Sequence, residues 1–233
     1  MRIVTDRGAD LSSEQMAGLD IHFAPLRITL DEKTYTSGVD LKQEEFYEML
    51  GNTESFPVTS TPAPGDFVEL YRTLAKDDPE ILSVHISSGL SSTLDTAKMA
   101  AQMVPEAKVT FFDSKTLSCP LGWQVELAAR AARAGMKMEE VLAMLERVRQ
   151  ATEGLFTLNS LKYLVHGGRI SHLKGLVGSL LNIKPIIGPE KEKGMYMTQG
   201  QEITFNRALQ RIISIIEQWH PRGSSLRVQL LHG

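Results

Sequence analysis

The chain has 233 residues, 42% of them apolar, which is enough to bury a substantial core in one large or two small domains without metals or disulfides. Its 25 Lys and Arg residues against 28 Asp and Glu give a net charge of −3, so it lacks the overall positive charge that nucleic-acid binding usually needs. These values favour a soluble globular protein and argue against a nucleic-acid partner.

The only cysteine is Cys119, and no cluster of Cys and His residues has the spacing of a metal site. An internal disulfide is therefore excluded, no metal or cofactor is expected, and a reducing cytoplasm fits best. The first residues turn polar without an apolar stretch of signal-peptide length, and no apolar run approaches the roughly 18 residues that a membrane span requires. These features predict a cytoplasmic protein without a membrane span.

Segments of β-branched residues alternate with segments of helical periodicity, which is typical of an α/β fold. The predicted strands, in chain order, cover residues 2–5, 23–30, 81–86, 109–112, 154–158, 184–187 and 226–231. The predicted helices cover residues 43–51, 65–75, 92–103, 117–134, 138–150, 159–165, 173–181 and 205–219.

Two features mark a boundary near residue 152. Two long helices end there, and the charge balance reverses: residues 151–233 hold ten Lys and Arg against five Asp and Glu, whereas the preceding residues hold 15 against 23. We therefore predict two α/β domains, residues 1–152 and 153–233, with a basic patch on the second that suits an anionic group or an acidic partner. The last predicted strand stops two residues before the end of the sequence, which indicates that the second domain is cut short.

Carboxylates follow two of the predicted strands. Asp6 follows the first strand, and Asp113 follows the fourth. No phosphate-binding loop or third acidic ligand accompanies them, so the metal signal is weak. Hydrogen bonding to N–H groups of the adjoining loops is the more frequent role of such residues.

Two hydroxyl-rich turns precede predicted helices. One is Thr59-Ser60-Thr61, bounded by Pro62, and the other is the Ser-Ser-Gly-Leu-Ser-Ser-Thr segment at residues 87–93. The first turn of a helix has unpaired N–H groups and a partial positive charge, which stabilise a carboxylate or phosphate. Since α/β sheets gather such loops at the carboxyl ends of their strands, both turns are candidates for binding one anion. Ordinary helix capping, by Ser91 and by a threonine of the first turn, is the alternative.

Paired glycines follow the helix predicted at residues 159–165. A glycine just past a helix end relieves the left-handed conformation needed there, which explains one of Gly167 and Gly168. Arg169 comes next and either holds an anionic group or ties the loop together.

A serine nucleophile is the main enzymatic alternative. The segment at residues 89–93 resembles a nucleophile elbow but lacks its closing glycine, and a triad would also need a positioned histidine and acid. His85 lies inside a predicted strand and His22 next to one. The others, His166, His172, His220 and His232, have no recognisable partner. A serine hydrolase that acts on acyl esters through Ser91 is therefore a distant alternative.

Seven segments together, in the same order, resemble the DegV family of bacterial proteins, which includes the fatty-acid-binding subunits of bacterial fatty acid kinase. They span nearly the whole chain, and one of them alone would be a weak signal. The segments are Thr5-Asp6-Arg7-Gly8-Ala9-Asp10-Leu11, the stretch from Pro25-Leu26 through Tyr35 to Gly38-Val39-Asp40, Thr59-Ser60-Thr61-Pro62, residues 87–93, Phe112-Asp113-Ser114, Gly167-Gly168-Arg169-Ile170-Ser171 and Leu181-Asn182-Ile183-Lys184-Pro185.

This resemblance implies two α/β domains that hold a long-chain fatty acid between them, with its tail in an apolar tunnel. The hydroxyls at the positions of Thr59 and Ser91 hold the carboxylate in this family. Their neighbours Ser60 and Ser92 join the candidate site, the latter through its backbone N–H at the helix start. His232 resembles a family histidine near the head group.

The resemblance also implies a non-enzymatic carrier that presents the fatty acid to a separate kinase subunit for acyl-phosphate formation, with transient contact with a membrane surface allowed. No nucleotide-binding loop of the Walker type occurs in the chain. Ile203 stands where many members carry an arginine linked to cooperation with the kinase, and Arg207, one helical turn away, is a candidate replacement. Arg169 is a second candidate for the head-group or partner surface. A lipid-sensing regulatory module is a further alternative.

Overall fold

The computed structural model of the protein describes residues 1–170, 173 and 183–232. The chain divides into two compact units: unit 1 comprises Met1–Thr152 with Lys191–Gly194, and unit 2 comprises Glu153–Glu190 with Met195–Gly233. The predicted domains differ from these units in the placement of Lys191–Gly194. No helix in the described ranges is both long and apolar enough to cross a lipid bilayer.

Strands and helices alternate along the chain, as in the predicted α/β fold. The strands are β1 (Arg2–Asp6), β2 (Ile21–Ala24), β3 (Arg27–Leu30), β4 (Lys33–Thr36), β5 (Val58–Ser60), β6 (Glu80–His85), β7 (Lys108–Asp113), β8 (Lys184–Pro189) and β9 (Tyr196–Glu202). The helices are α1 (Ser13–Met16), α2 (Gln43–Gly51), α3 (Pro64–Ala75), α4 (Thr93–Ala101), α5 (Ser118–Arg133), α6 (Met138–Ala151), α7 (Lys162–His166) and α8 (Phe205–Trp219), and a short 3₁₀ helix covers Arg7–Ala9.

A parallel sheet in the order β2-β1-β6-β7 forms the centre of unit 1. One apolar cluster on this sheet comes from α5 and α6, and a second comes from α3 and α4. Because all four strands run parallel, their carboxyl ends lie at one edge of the sheet. Asp6 and Asp113, the last residues of β1 and β7, lie at that edge, and the loop with residues 87–93 follows β6 there.

Two smaller antiparallel sheets complete the fold. In unit 1, β3 pairs with β4 on one side and with β5 on the other. In unit 2, β8 pairs with β9, and Ile186 of this hairpin packs against Ala208 and Ile215 of α8. The α/β fold class predicted from the sequence is confirmed.

Three predicted strands are wrong. The strand predicted at 23–30 is divided into β2 and β3 at Pro25, which has no N–H to donate to a ladder. Residues 154–158 form no strand, only an isolated bridge between Phe156 and Ile187. Residues 226–231 form no strand either, because an apolar run without a ladder partner does not make a strand. Leu230 in this segment is 86% exposed.

Three short or polar strands were not predicted from the sequence: β4, β5 and β9. The helix expected at 159–165 begins later, at Lys162. The helix predicted at 173–181 falls on residues that, apart from Leu173, lie outside the described ranges. Cys119, the one thiol of the chain, is buried on α5, and burial raises the pKa of this thiol.

Candidate functional site

A buried hydrogen-bonded chain lies below the carboxyl edge of the parallel sheet. Asp6 Oδ2 is 2.9 Å from His85 Nδ1, and His85 Nε2 is 2.7 Å from Ser83 Oγ. Ser83 Oγ in turn lies 2.8 Å from the Tyr71 hydroxyl. Burial raises the pKa of the Tyr71 phenol, so this group stays protonated. All four polar side chains therefore find partners inside the core.

This series of hydrogen-bonded side chains has the order acid, histidine, serine, but a substrate cannot reach it. Ser83 and His85 are completely buried, and the Tyr71 hydroxyl occupies the far side of the serine. Ser91, the serine proposed for a hydrolase, has its hydroxyl 2.8 Å from Thr93 Oγ1, and no histidine is bonded to it within the described residues. The arrangement stabilises the core and does not activate Ser91.

Asp6 also fixes the loops that leave β1 and β6. Its Oδ1 accepts from the Gly8 N–H at 2.9 Å, and its Oδ2 accepts from the Ile86 N–H at 3.0 Å. The expected bonding of this carboxylate to loop N–H groups is confirmed. The start of the hydroxyl-rich loop is thereby held against β1.

Ser87 organises the hydroxyl-rich loop from within. It is fully buried, its N–H donates to Thr116 O at 2.8 Å, and its Oγ accepts from the Gly89 N–H at 3.1 Å. Its carbonyl accepts from the N–H groups of Leu90 and Ser91, each at 3.0 Å. The loop is thus folded around one residue before α4 begins.

Ser91 and Ser92 stand at the start of α4. The N-cap of α4 is Ser92, whose side chain makes no capping bond, so the prediction that Ser91 caps this helix is wrong. The Ser91 hydroxyl instead accepts from the Thr93 N–H at 3.3 Å, in a turn just before the helix. Ser92 is exposed, and its carbonyl accepts from the Thr96 N–H at 3.0 Å. Its own N–H has no acceptor in the described part of the chain. The half-buried Ser91 hydroxyl and this N–H are the donors that an anion could use here.

Asp113 holds the other side of the same loop. Its Oδ1 accepts from the N–H groups of Ser88 at 3.2 Å and Lys115 at 3.1 Å, and its Oδ2 is 2.9 Å from Lys115 Nζ. Burial opposes ionisation of Asp113, but the bonds from Ser88 and Lys115 prevail and lower its pKa. Asp6 and Asp113 therefore both accept structural hydrogen bonds, which does not favour a role as metal ligands.

The second hydroxyl cluster lies on β5 and just after it. Thr59 pairs with Ile28 and Ser60 with Arg27 in the β3–β5 ladder. The hydroxyls of Thr59 and Ser60 are exposed and have no hydrogen-bond partner among the residues described. Arg27 binds Asp66 in the first turn of α3, and this guanidinium lowers the pKa of Asp66. The cluster thus lies on β5, and its neighbouring strand β3 is joined by this ion pair to α3, the helix that follows β5.

The candidates in unit 2 are exposed. Arg169 donates to Gly167 O at 2.5 Å, and Arg207 Nε lies 3.1 Å from Glu202 Oε2. Ile203, just before α8, is 65% exposed. His232 is exposed and lies outside any helix or strand. The roles expected of Arg169, Arg207 and His232 stay predictions.

One residue close to the hydroxyl-rich loop had no sequence signal of its own. Gly194 has a φ of +66°, and a Cβ placed on it would lie 1.9 Å from Ser87 Oγ and 3.0 Å from Lys115 Cα. Only glycine fits between these atoms. The sequence shows this glycine but not its contact with Ser87, because the two residues are distant along the chain.

Replacing Gly194 with alanine is expected to lower the free energy of unfolding by about 1–3 kcal/mol beyond the cost of the positive φ, since the new methyl group collides with Ser87. The matched control is Gly223→Ala, where φ is +94° and a Cβ meets nothing within 4 Å. Urea unfolding followed by circular dichroism gives both values. Equal losses in the two variants would contradict the close packing at Ser87.

The described residues contain no group of three or more His, Cys, Asp or Glu side chains that could hold a metal ion. The site in unit 1 is instead a set of neutral hydroxyl and N–H donors on two loops. Such donors suit a carboxylate or phosphate oxygen.

A family model described as "Uncharacterised protein, DegV family" matches residues 1–233. The chain belongs to the DegV family. A DegV domain-containing protein of Staphylococcus aureus (strain N315) is 42% identical over 184 residues, which cover 79% of this chain. The chain spans only 65% of the length of that relative.

Solved structures of DegV proteins are similar in fold. One, described as showing fatty acid binding of a DegV family protein from Thermus thermophilus, has a TM-score of 0.84 and 32% identity and covers 95% of this chain and 79% of its own. Another, DegV from Bacillus subtilis, described as a fatty acid binding protein, has a TM-score of 0.85 and 30% identity and covers 93% and 77%. The resemblance noted in the sequence motifs is confirmed at the level of the family and fold.

Proposed function

We propose that this DegV protein binds a long-chain fatty acid, with the carboxylate on the hydroxyls of Thr59 and Ser91. The observation that carries the proposal is the pair of hydroxyl loops in unit 1: exposed hydroxyls on β5, and the Ser91 hydroxyl and Ser92 N–H at the start of α4. Similar proteins described as binding fatty acids support the same ligand. Ser60 and His232 complete the proposed head-group contacts.

The affinity comes from the tail, and the donors set its orientation. A tail of about 15 methylenes gains roughly 0.8 kcal/mol for each buried CH₂, which is about 12 kcal/mol before ordering costs. We place this tail in an apolar tunnel. The hydroxyl donors then hold the carboxylate at a defined position.

The protein acts as a carrier in this proposal, not as an enzyme. It presents the fatty acid to a separate kinase for acyl-phosphate formation, through a surface that includes Arg169 and Arg207. A cytoplasmic location agrees with the single buried thiol, which suits a reducing compartment. No observation favours the hydrolase, since the Ser91 hydroxyl is bonded to Thr93.

Protein purified from bacterial cells is expected to carry a fatty acid that organic extraction releases and mass spectrometry identifies. Native mass spectrometry of the intact protein should show the same added mass. Delipidated protein should then take up palmitate or oleate. Recovery of no acyl chain, together with no uptake of either fatty acid, would overturn the proposal. A pull-down that recovers a partner without kinase activity would favour the lipid-sensing module over the carrier.

A further inference from the structure

The guanidinium of Arg7 is held in a cradle just after β1. Its Cζ lies 4.3 Å from the centroid of the Phe23 ring. A Cβ on Gly38 would lie 2.9 Å from Arg7 Cζ, 3.0 Å from Nη2 and 3.2 Å from Nε. Since Cζ is the nearest of the three atoms, Gly38 faces the flat side of the guanidinium. The absence of a side chain at Gly38 makes this packing possible.

The cradle supplies no partner for the charge. Within the described ranges, no oxygen accepts a hydrogen bond from Arg7 and no carboxylate forms an ion pair with it. Arg7 is half-buried, and this burial lowers the pKa of its guanidinium. An arginine has five N–H donors, and those of Arg7 keep some exposure to water, so an acceptor from outside the protein can reach them.

The carboxylates next to Arg7 and Gly38 in sequence, and the one that holds the hydroxyl-rich loop, are bonded to other groups. Asp6 accepts from His85 and from two loop N–H groups, and Asp113 binds Ser88 and Lys115. Asp40, two residues after Gly38, accepts from the Thr36 N–H. The charge of Arg7 therefore lacks a counterion that this part of the molecule could provide.

The position of Arg7 places it beside the hydroxyl-rich loop. In the parallel β1–β6 ladder, Ile3 pairs with Leu82 and Val4 with Ser83. Arg7 itself begins the 3₁₀ helix after β1, and the Ile86 N–H donates to Oδ2 of the preceding Asp6, so the backbone next to Arg7 lies beside Ile86, immediately before residues 87–93. Gly8 confirms the proximity, since a Cβ on it would lie 3.4 Å from Ile86 Cδ1. On its other side, Arg7 contacts Gly38, which follows β4 in the sheet that carries Thr59.

We propose that Arg7 determines the specificity of the site by binding the negatively charged head group of the bound lipid. The inference rests on the proposed function and extends it, because neutral hydroxyl and N–H donors can bind an alcohol as well as an anion, although they bind the anion more strongly. A guanidinium distinguishes the two, since its planar fork matches the oxygens of a carboxylate or phosphate. Arg7 thus selects a charged lipid over a neutral lipid of the same length.

The test compares three ligands of one chain length: palmitate, hexadecyl phosphate and hexadecanol. Their Kd values are measured by displacement of a fluorescent fatty acid from wild-type protein and from Arg7→Met, whose unbranched side chain occupies the same cradle without charge. The variant is expected to lose about tenfold to a hundredfold in affinity for palmitate or hexadecyl phosphate, and to bind hexadecanol as before. A larger loss for the phosphate assigns a phosphoryl group to Arg7, and a larger loss for palmitate assigns the carboxylate. Either outcome supports the inference.

Two controls keep the result specific. Arg72→Met removes an exposed arginine of α3 that is paired with Glu106, and it should change none of the three Kd values. Arg7→Lys retains the charge without the planar fork and should fall between wild type and Arg7→Met. An unchanged ratio of palmitate to hexadecanol affinity in both Arg7 variants would overturn the inference while leaving the carrier function intact. If wild-type protein bound none of the three ligands, the proposed function itself would fail.

Discussion

Replacing Thr59 with valine and Ser91 with alanine together is expected to weaken fatty acid binding by a few kcal/mol. In the proposed site, each substitution removes a hydroxyl that donates to the carboxylate, and such a charge-assisted bond contributes about 1.5–3 kcal/mol. Since 1.4 kcal/mol corresponds to about tenfold in Kd, the double variant should bind palmitate about a hundredfold less well, or worse. The Kd from fluorescent fatty acid displacement is the measurement.

The control for this double variant removes two hydroxyls of the same types elsewhere. Thr29→Val removes a hydroxyl on β3 that is bonded to Thr34 of β4, on the side of β3 away from β5. Ser214→Ala removes a hydroxyl that donates to Gln210 O within α8. Their combination should leave the Kd unchanged. Because Ser91 also accepts from the Thr93 N–H, the unfolding free energy of the test variant is measured in parallel. Undiminished retention of the fatty acid by a folded double variant would place the head group elsewhere.

Asp6→Ala is expected to cause the largest loss of stability among single substitutions near the site. It removes the acceptor of His85 and of the Gly8 and Ile86 N–H groups, and it leaves these buried groups unpaired. Leaving a buried donor without its acceptor typically costs about 1–3 kcal/mol, and here three groups lose the same acceptor. Urea unfolding should show this loss as a lower midpoint with an unchanged slope.

The comparison for Asp6 is a carboxylate on the surface. Asp20 is 57% exposed and pairs with Arg2, so Asp20→Ala should cost no more than about 1 kcal/mol. Asp6→Asn retains one amide oxygen as an acceptor and should fall between the two. If Asp6→Ala were no less stable than Asp20→Ala, the buried chain through His85 would have no stabilising role.

Three of the four strands of the parallel sheet, β1, β6 and β7, were predictable because their apolar runs are strong and regular. The structural role of Asp6 was also predictable, since a carboxylate at a strand end commonly binds loop N–H groups. Its bond to His85 was not, because only the register between β1 and β6 brings the two together. A single sequence contains no signal for that register.

The strands that were missed depend on partners distant in sequence. β4 has the sequence Lys-Thr-Tyr-Thr, and β9 is mostly polar with a glycine, so neither shows a run of apolar residues. Both become strands because an antiparallel neighbour accepts their hydrogen bonds. The converse holds for residues 226–231, where an apolar run forms no ladder. Similarly, the cradle of Arg7 combines Arg7, Phe23 and Gly38, which lie in three separate segments, so no local sequence pattern predicts it.

The buried thiol of Cys119 gives the molecule a natural reporter. It is the sole cysteine, it lies on α5 in unit 1, and its raised pKa suppresses the reactive thiolate. Alkylation therefore requires local opening of this region, so the labelling rate measures the opening equilibrium without an engineered probe. Because a ligand that binds the closed form slows such opening by mass action, one native atom can follow lipid loading in solution.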